Sequence, residues 1–124
     1  MDEFVGFMEE AMERMPEQFA SAVENVAFLA LPEPDGGDFH RLKLSHPERD
    51  FGYGEILGLY SGVPLTERSF TYAREPDIIK LFAGPICRTC GNRDSVKNQV
   101  YRTLVHEVAH YFGMTDAEIR QMGY

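Results

Sequence analysis

The sequence lacks long apolar runs. No stretch of its 124 residues approaches the roughly eighteen apolar residues that a membrane-spanning helix needs, so we exclude a spanning segment. The amino terminus, Met1-Asp2-Glu3-Phe4, also lacks the basic start and the continuous apolar run of a secretory signal. The sequence therefore predicts a cytoplasmic protein.

Basic residues are scarce. Twelve Lys and Arg stand against twenty Asp and Glu, which gives a formal net charge of −8. A protein with this charge repels phosphate backbones and anionic lipid, so neither counterion release nor surface attraction can drive binding. We expect neither nucleic acid nor a membrane as a partner.

Internal repeats and low-complexity tracts are absent as well. The chain has the length of one ordinary domain, and its hydrophobic fraction of 44% is typical of a folded protein. The sequence therefore predicts a single domain over residues 1–124.

Hydrophobic periodicity organises the first part of the chain. Apolar residues recur every three or four positions over residues 4–15, which predicts an amphipathic helix packed on its own core. Pro16 interrupts this pattern and suits the first turn of a second helix over residues 17–24. The continuous apolar run of residues 26–31 predicts a strand covered on both faces and central in a sheet.

Turn-forming residues dominate the next segment. The proline, glycine and aspartate of residues 32–38 predict an exposed loop. We expect residues 39–53 to be irregular, with His40 and His46 as isolated surface histidines because neither has a partner at metal-binding spacing.

Two more strands and a long helix complete the chain. The strands are predicted over residues 56–60 and 78–82. The helix is predicted from Asp94 or Ser95, either of which can cap it, to Phe112. The fold class is therefore α+β, a small sheet of about three to four strands packed on helices, with a long active-site helix near the carboxyl terminus.

The end of that helix carries His106, Glu107 and His110. Two histidines four residues apart project from one face of a helix, where both can bind one zinc ion. Glu107 lies beside them, too far round the helix to complete the ligand set easily. It can instead take the proton of a metal-bound water, so the pattern indicates a zinc enzyme.

The extended segment resembles the zincin metallopeptidases, in the variant His-Glu-x-x-His-x-x-Gly-x-x-Asp. The matching residues are His106, Glu107, His110, Gly113 and Asp116. The resemblance implies that Gly113 ends the helix in a left-handed conformation and that Asp116 is the third zinc ligand. The chain is most similar to the small bacterial mini-zincins, whose patterns are matched by residues 57–68, 78–82 and 96–112.

This resemblance implies a minimal zincin-like domain that binds one zinc ion per chain and hydrolyses peptide bonds in a peptide or protein substrate. Zinc would activate a water, and Glu107 would act as the general base. We expect the substrate to lie extended along a sheet edge, formed by residues 78–82.

A second hypothesis belongs to a different functional class. The chain is short and shows no recognisable group to stabilise an oxyanion, which favours a zincin-like domain that binds a peptide or partner protein without cleaving it. Tyr60, Tyr72 and Tyr111 are candidate oxyanion donors on chemistry alone, since a phenol can donate to developing negative charge.

Two motifs near the site have alternative explanations. Thr115 and Glu118 form a capping-box pattern, in which Asp116 would be a first-turn carboxylate of a final helix, and this role is compatible with metal binding. Cys87 and Cys90 precede the two histidines at nearly the spacing of a Cys2His2 zinc finger. A finger has a short helix and does not need the rest of the zincin motif, so reduced thiols are the simpler explanation.

Overall fold

The computed structural model describes residues 1–21, 23, 25–45, 55–62 and 77–124. Within these residues the predicted α+β class and the long helix near the carboxyl terminus are confirmed. Our expectations for residues 46–53, for Tyr72 and for positions 63–68 of the family pattern fall outside this part of the chain. In chain order the elements are α1 (Asp2–Arg14), α2 (Glu17–Ala20), β1 (Val26–Leu31), α3 (Gly36–Ser45), β2 (Gly58–Ser61), β3 (Asp77–Phe82), α4 (Ala83–Thr89), α5 (Arg93–Tyr111) and α6 (Asp116–Gln121).

The three strands form one mixed sheet in the order β1-β3-β2, with β1 parallel and β2 antiparallel to β3. The prediction that residues 26–31 lie centrally was wrong, because β3 holds the central position. The prediction failed because an entirely apolar strand is typical of the centre of a sheet. β1 is such a strand, yet its Leu29 is 40% exposed. The proposed substrate edge at residues 78–82 was also wrong, since β3 is paired on both sides.

The larger hydrophobic core lies between one face of the sheet and helices α1 and α5. From α1 it takes Phe4, Phe7, Met8 and Ala11, which confirms the amphipathic helix predicted there. From α5 and β3 it takes fully buried aliphatic side chains: Val100, Leu104, Val108, Ile79 and Leu81. This packing fixes the position of α5 against the sheet.

The smaller core lies on the other face of the sheet and corrects two predictions. Residues 36–45 form helix α3 where we expected a loop and an irregular segment. The Asp35 and Asp38 backbone N–H groups each donate to the other residue's carboxylate at 2.9 Å, which starts the helix. Leu42 then packs on Ile56, Leu59 and Phe82. His40 is exposed, as predicted.

Helix boundaries also differ from the predictions. The second helix is shorter than predicted, Glu17–Ala20. Helix α4 follows β3 directly and was not predicted. Gly84 and Pro85 indicate the end of the strand, but proline is also tolerated in the first turn of a helix. Asn92, rather than Asp94 or Ser95, caps α5 by accepting a hydrogen bond from the Ser95 N–H at 2.9 Å. Among the described residues, no helix combines the length and apolarity needed to cross a bilayer.

Candidate metal centre

A glycine turn connects α5 to α6. Gly113 has φ 84°, which confirms the predicted left-handed conformation. Its N–H donates to the His110 carbonyl at 2.9 Å, and the Met114 N–H donates to the Ala109 carbonyl at 3.1 Å, a Schellman motif. The chain therefore reverses direction directly after the two histidines.

Helix α6 then starts with the predicted capping box. The Glu118 N–H donates to Thr115 Oγ1 at 3.2 Å, and the Thr115 N–H donates to Glu118 Oε1 at 3.1 Å. Asp116 occupies the first turn of this helix while its carboxylate meets the histidines. The position of Asp116 is thus compatible with both roles that the sequence left open, the first-turn carboxylate and the metal ligand.

Three side chains converge between the two helices. Asp116 Oδ1 lies 3.2 Å from His106 Nε2 and 3.1 Å from His110 Nε2, and the three candidate ligand atoms all lie within 4.8 Å of one another. Ligands about 2.0–2.2 Å from a tetrahedral zinc ion are about 3.3–3.6 Å apart. The two oxygen–nitrogen distances are close to that range, so the three side chains are placed where they could hold a metal ion.

Hydrogen bonding of His110 strengthens this fit. His110 Nδ1 lies 3.1 Å from the Met114 carbonyl oxygen, which can only accept, so Nδ1 carries a proton and donates. The lone pair of Nε2 then faces the Asp116 carboxylate, and these two electron-rich atoms repel each other unless a cation or a second proton lies between them. A nitrogen and oxygen donor set of this kind suits zinc better than calcium or magnesium.

The backbone of β2 holds the side chain of Glu107, the residue next to His106 in α5. Its side chain is buried at 8% exposure, and Oε1 accepts the Tyr60 N–H at 2.8 Å. Tyr60 is paired with Ile79 of β3 in the antiparallel register. Its N–H donates to Glu107 and not to β3, so this N–H points away from β3. Glu107 therefore lies at the outer edge of β2.

Sequence reasoning missed this contact, because a backbone amide leaves no mark in a side-chain pattern. The sequence feature that comes nearest to indicating this contact is Gly58. A Cβ there would lie 2.7 Å from Thr103 Cγ2 and 3.2 Å from Glu107 Cγ. Only glycine allows β2 to approach α5 this closely.

Tyr60 and Tyr111, two of the candidate oxyanion donors, make contacts with other groups. The Tyr60 hydroxyl donates to Oδ1 of the buried Asp77 at 3.3 Å. Tyr111 is 2% exposed and packs edge-on against the Tyr60 ring, with centroids 6.1 Å apart. Neither of these contacts involves the metal cluster.

The cysteines lie apart from the cluster. Cys87 is exposed on α4, and Cys90 caps the end of α4, with its thiol donating to the Ser95 carbonyl at 3.5 Å. Within the described ranges, His106, His110 and Asp116 form the group able to hold a metal, and neither cysteine belongs to it. The structure thus gives no support to a Cys2His2 site.

Comparisons with known proteins agree with this architecture. A conserved hypothetical protein from Thermus thermophilus has a similar structure, with a TM-score of 0.56 and 23% sequence identity, covering 90% of this chain and 92% of that one. At this identity the likeness supports the fold alone. Comparison with curated proteins gave no match. The model of the zincin-like metallopeptidases matches residues 23–124, so the chain belongs to the zincin-like metallopeptidase family.

Proposed function

We propose that this protein is a zinc-dependent metallopeptidase in which His106, His110 and Asp116 bind one zinc ion and Glu107 is the general base. The observation that carries the proposal is the convergence of both imidazole Nε2 atoms on one Asp116 oxygen, at 3.2 and 3.1 Å. Membership of the zincin-like family supports the same reaction class.

Bound zinc would supply Lewis acidity, which makes water a better nucleophile and polarises a peptide carbonyl. Glu107 accepts the proton of the attacking water and transfers it to the leaving amine. The Tyr60 N–H stabilises the charged carboxylate and fixes one of its oxygens. The protein's contribution is thus a base whose position is set by a strand and not by a mobile loop.

The peptide substrate is proposed to lie along β2 in place of the edge expected from the sequence. Among the described strands, β2 is paired on one side only, with β3. Its outer edge contains the Tyr60 N–H that holds Glu107. An extended peptide beside this edge would present its carbonyls next to the base and the metal ligands.

Metal content tests the proposal. Wild-type protein reconstituted with zinc should hold about one zinc per chain, and His110→Ala should lose both zinc and hydrolysis. His40→Ala, a change of an exposed histidine on α3, is the matched control and should lose neither. Replacement of Cys87 and Cys90 by serine should also leave zinc content unchanged. Wild-type protein without zinc after reconstitution would reject the proposal.

A further inference from the structure

Cys87 and Cys90 lie near the opposite end of α5 from the metal cluster, and the proposed peptidase reaction uses neither of them. Both residues face the first turn of α5. Cys87 lines an open cavity together with Arg93 and Val96, and Cys90 Sγ lies 3.5 Å from the Ser95 carbonyl oxygen. The two cysteines are therefore on the side of α4 that faces α5.

The backbone turn between the two cysteines has the dimensions of a disulfide loop. Cys87 belongs to the last turn of α4, and the Cys90 N–H donates to the Cys87 carbonyl at 3.4 Å. Two residues three positions apart on a helical turn have Cα atoms about 5 Å apart. Cα atoms joined by a disulfide are about 4.4–6.8 Å apart, so this turn can close a disulfide without a large backbone movement.

The Cys90 side chain is only weakly held in its present position. Cys90 has left the helix, with φ −115° and ψ 143°, so its side chain does not follow the helical direction. Its thiol contacts the Ser95 carbonyl at 3.5 Å and the Thr89 hydroxyl at 3.8 Å. Sulfur is a weak donor and a weak acceptor, so the loss of these two contacts costs little free energy.

The two thiols differ in exposure. Cys87 is exposed, whereas Cys90 is partly buried and packs against the larger core. A small-molecule disulfide in solution therefore reaches Cys87 first. Redox-responsive proteins pair an accessible cysteine with a second cysteine that resolves the first product.

We propose that Cys87 and Cys90 form a reversible disulfide by exchange with a small-molecule disulfide such as glutathione disulfide. The Cys87 thiolate attacks one sulfur of glutathione disulfide, and the first glutathione leaves as a thiolate that takes up the proton lost by Cys87. The Cys90 thiolate then attacks Cys87 Sγ, and the second glutathione leaves in the same way. The two protein thiols are oxidised to one disulfide, and glutathione disulfide is reduced to two thiols.

Oxidation of the full chain by excess glutathione disulfide tests the proposal, since the chain contains two cysteines only. After free thiols are blocked with N-ethylmaleimide, mass spectrometry should show a wild-type monomer without bound glutathione or alkyl groups. Dithiothreitol should restore both alkylatable thiols. Thr89→Ala changes the residue between Arg88 and Cys90 but keeps both thiols, so it is the matched control and should form the disulfide as wild type does.

Single-cysteine variants test the order of attack. Cys90→Ser should stop with one glutathione bound to Cys87, because the resolving thiol is missing. Cys87→Ser should take up glutathione at Cys90 at least about tenfold more slowly, because that thiol is partly buried. Equal uptake by the two variants would overturn the assigned order.

Three results with wild-type protein would each overturn the disulfide itself: a bound glutathione that persists, disulfide-linked dimers in place of the monomer, or thiols that stay reduced. None of these readouts depends on zinc or on peptidase activity.

Discussion

The two ends of α5 are built in different ways. At the carboxyl end, the candidate ligands and base come from the continuous segment of residues 106–116, and a glycine turn brings Asp116 back to the histidines. At the amino end, an open cavity of about 330 Å³ is assembled from α1, α4, α5 and the residues after β1. A local motif fixes the first site and tertiary packing fixes the second. The predictions below test that difference, beginning with the largest effect.

The largest effect on zinc affinity is expected at Asp116. Asp116→Asn removes the charge of a proposed ligand, so zinc affinity should fall by at least about 100-fold, more than an outer-shell change costs. Glu118→Gln removes one negative charge from the same first turn of α6 and keeps an oxygen for the capping box, so it is the matched control. Competition with a chelator measures both affinities. Equal zinc affinities in the two variants would show that Asp116 interacts with the helix dipole but does not bind zinc.

A smaller effect is expected at Gly58, because the proposed active site also depends on the packing of β2, which lies outside the histidine motif. A methyl group there would meet Thr103 Cγ2 at 2.7 Å and displace β2 from α5, so peptide hydrolysis by Gly58→Ala should fall about 10- to 100-fold. The overpacking should also lower the free energy of unfolding by about 1–3 kcal/mol.

Two further variants sharpen the Gly58 prediction. Gly91→Ala is the control, because a Cβ at that position meets no atom within 4 Å. Adding Thr103→Ser to Gly58→Ala removes the closest methyl group and keeps the hydroxyl that accepts from Gln99, so activity should partly return. Unchanged hydrolysis in Gly58→Ala would show that close approach of β2 does not position Glu107.

The smallest effect is expected at Asp38, which belongs to neither end of α5. Burial raises the pKa of its carboxyl, but hydrogen bonds from Lys80 and the Asp35 backbone outweigh this and hold it below the ordinary value. The lowered folded pKa means that this interaction stabilises the fold above the unfolded pKa of about 3.9. The stabilisation is lost as pH falls through the folded pKa.

Chemical denaturation at several pH values measures this effect. At pH 7, Asp38→Asn should unfold with a free energy about 1–2 kcal/mol lower than wild type, and the difference should shrink below about pH 3.9. Zinc content should stay the same. A difference that is independent of pH would show that the ionised pair is not its source.

Local signals explain what the sequence predicted correctly. The apolar periodicity of α1, the left-handed Gly113 and the Thr115 capping box each depend on residues within a few positions of one another. The spacing of His106 and His110 requires only that the segment be helical. These features therefore follow from the sequence without knowledge of the tertiary fold.

Long-range packing explains what the sequence did not predict. An apolar run such as β1 has the same composition at an edge of a sheet as at its centre. The strand order β1-β3-β2 could therefore not be predicted from the sequence. Helix α3 is started by two aspartates that a loop would use equally well. The partner of Glu107 is a backbone amide 47 residues away in sequence, and any residue could supply it.

The most direct test of the central claim is the rate of peptide hydrolysis by Glu107→Gln relative to wild type at equal zinc occupancy. The amide oxygen can still accept the Tyr60 N–H, so fold and metal should be retained while the rate falls by roughly two to four orders of magnitude. Equal rates would contradict the role of Glu107. If zinc-loaded wild type cleaves nothing in a broad peptide library, the peptidase assignment fails and the binding-domain hypothesis replaces it.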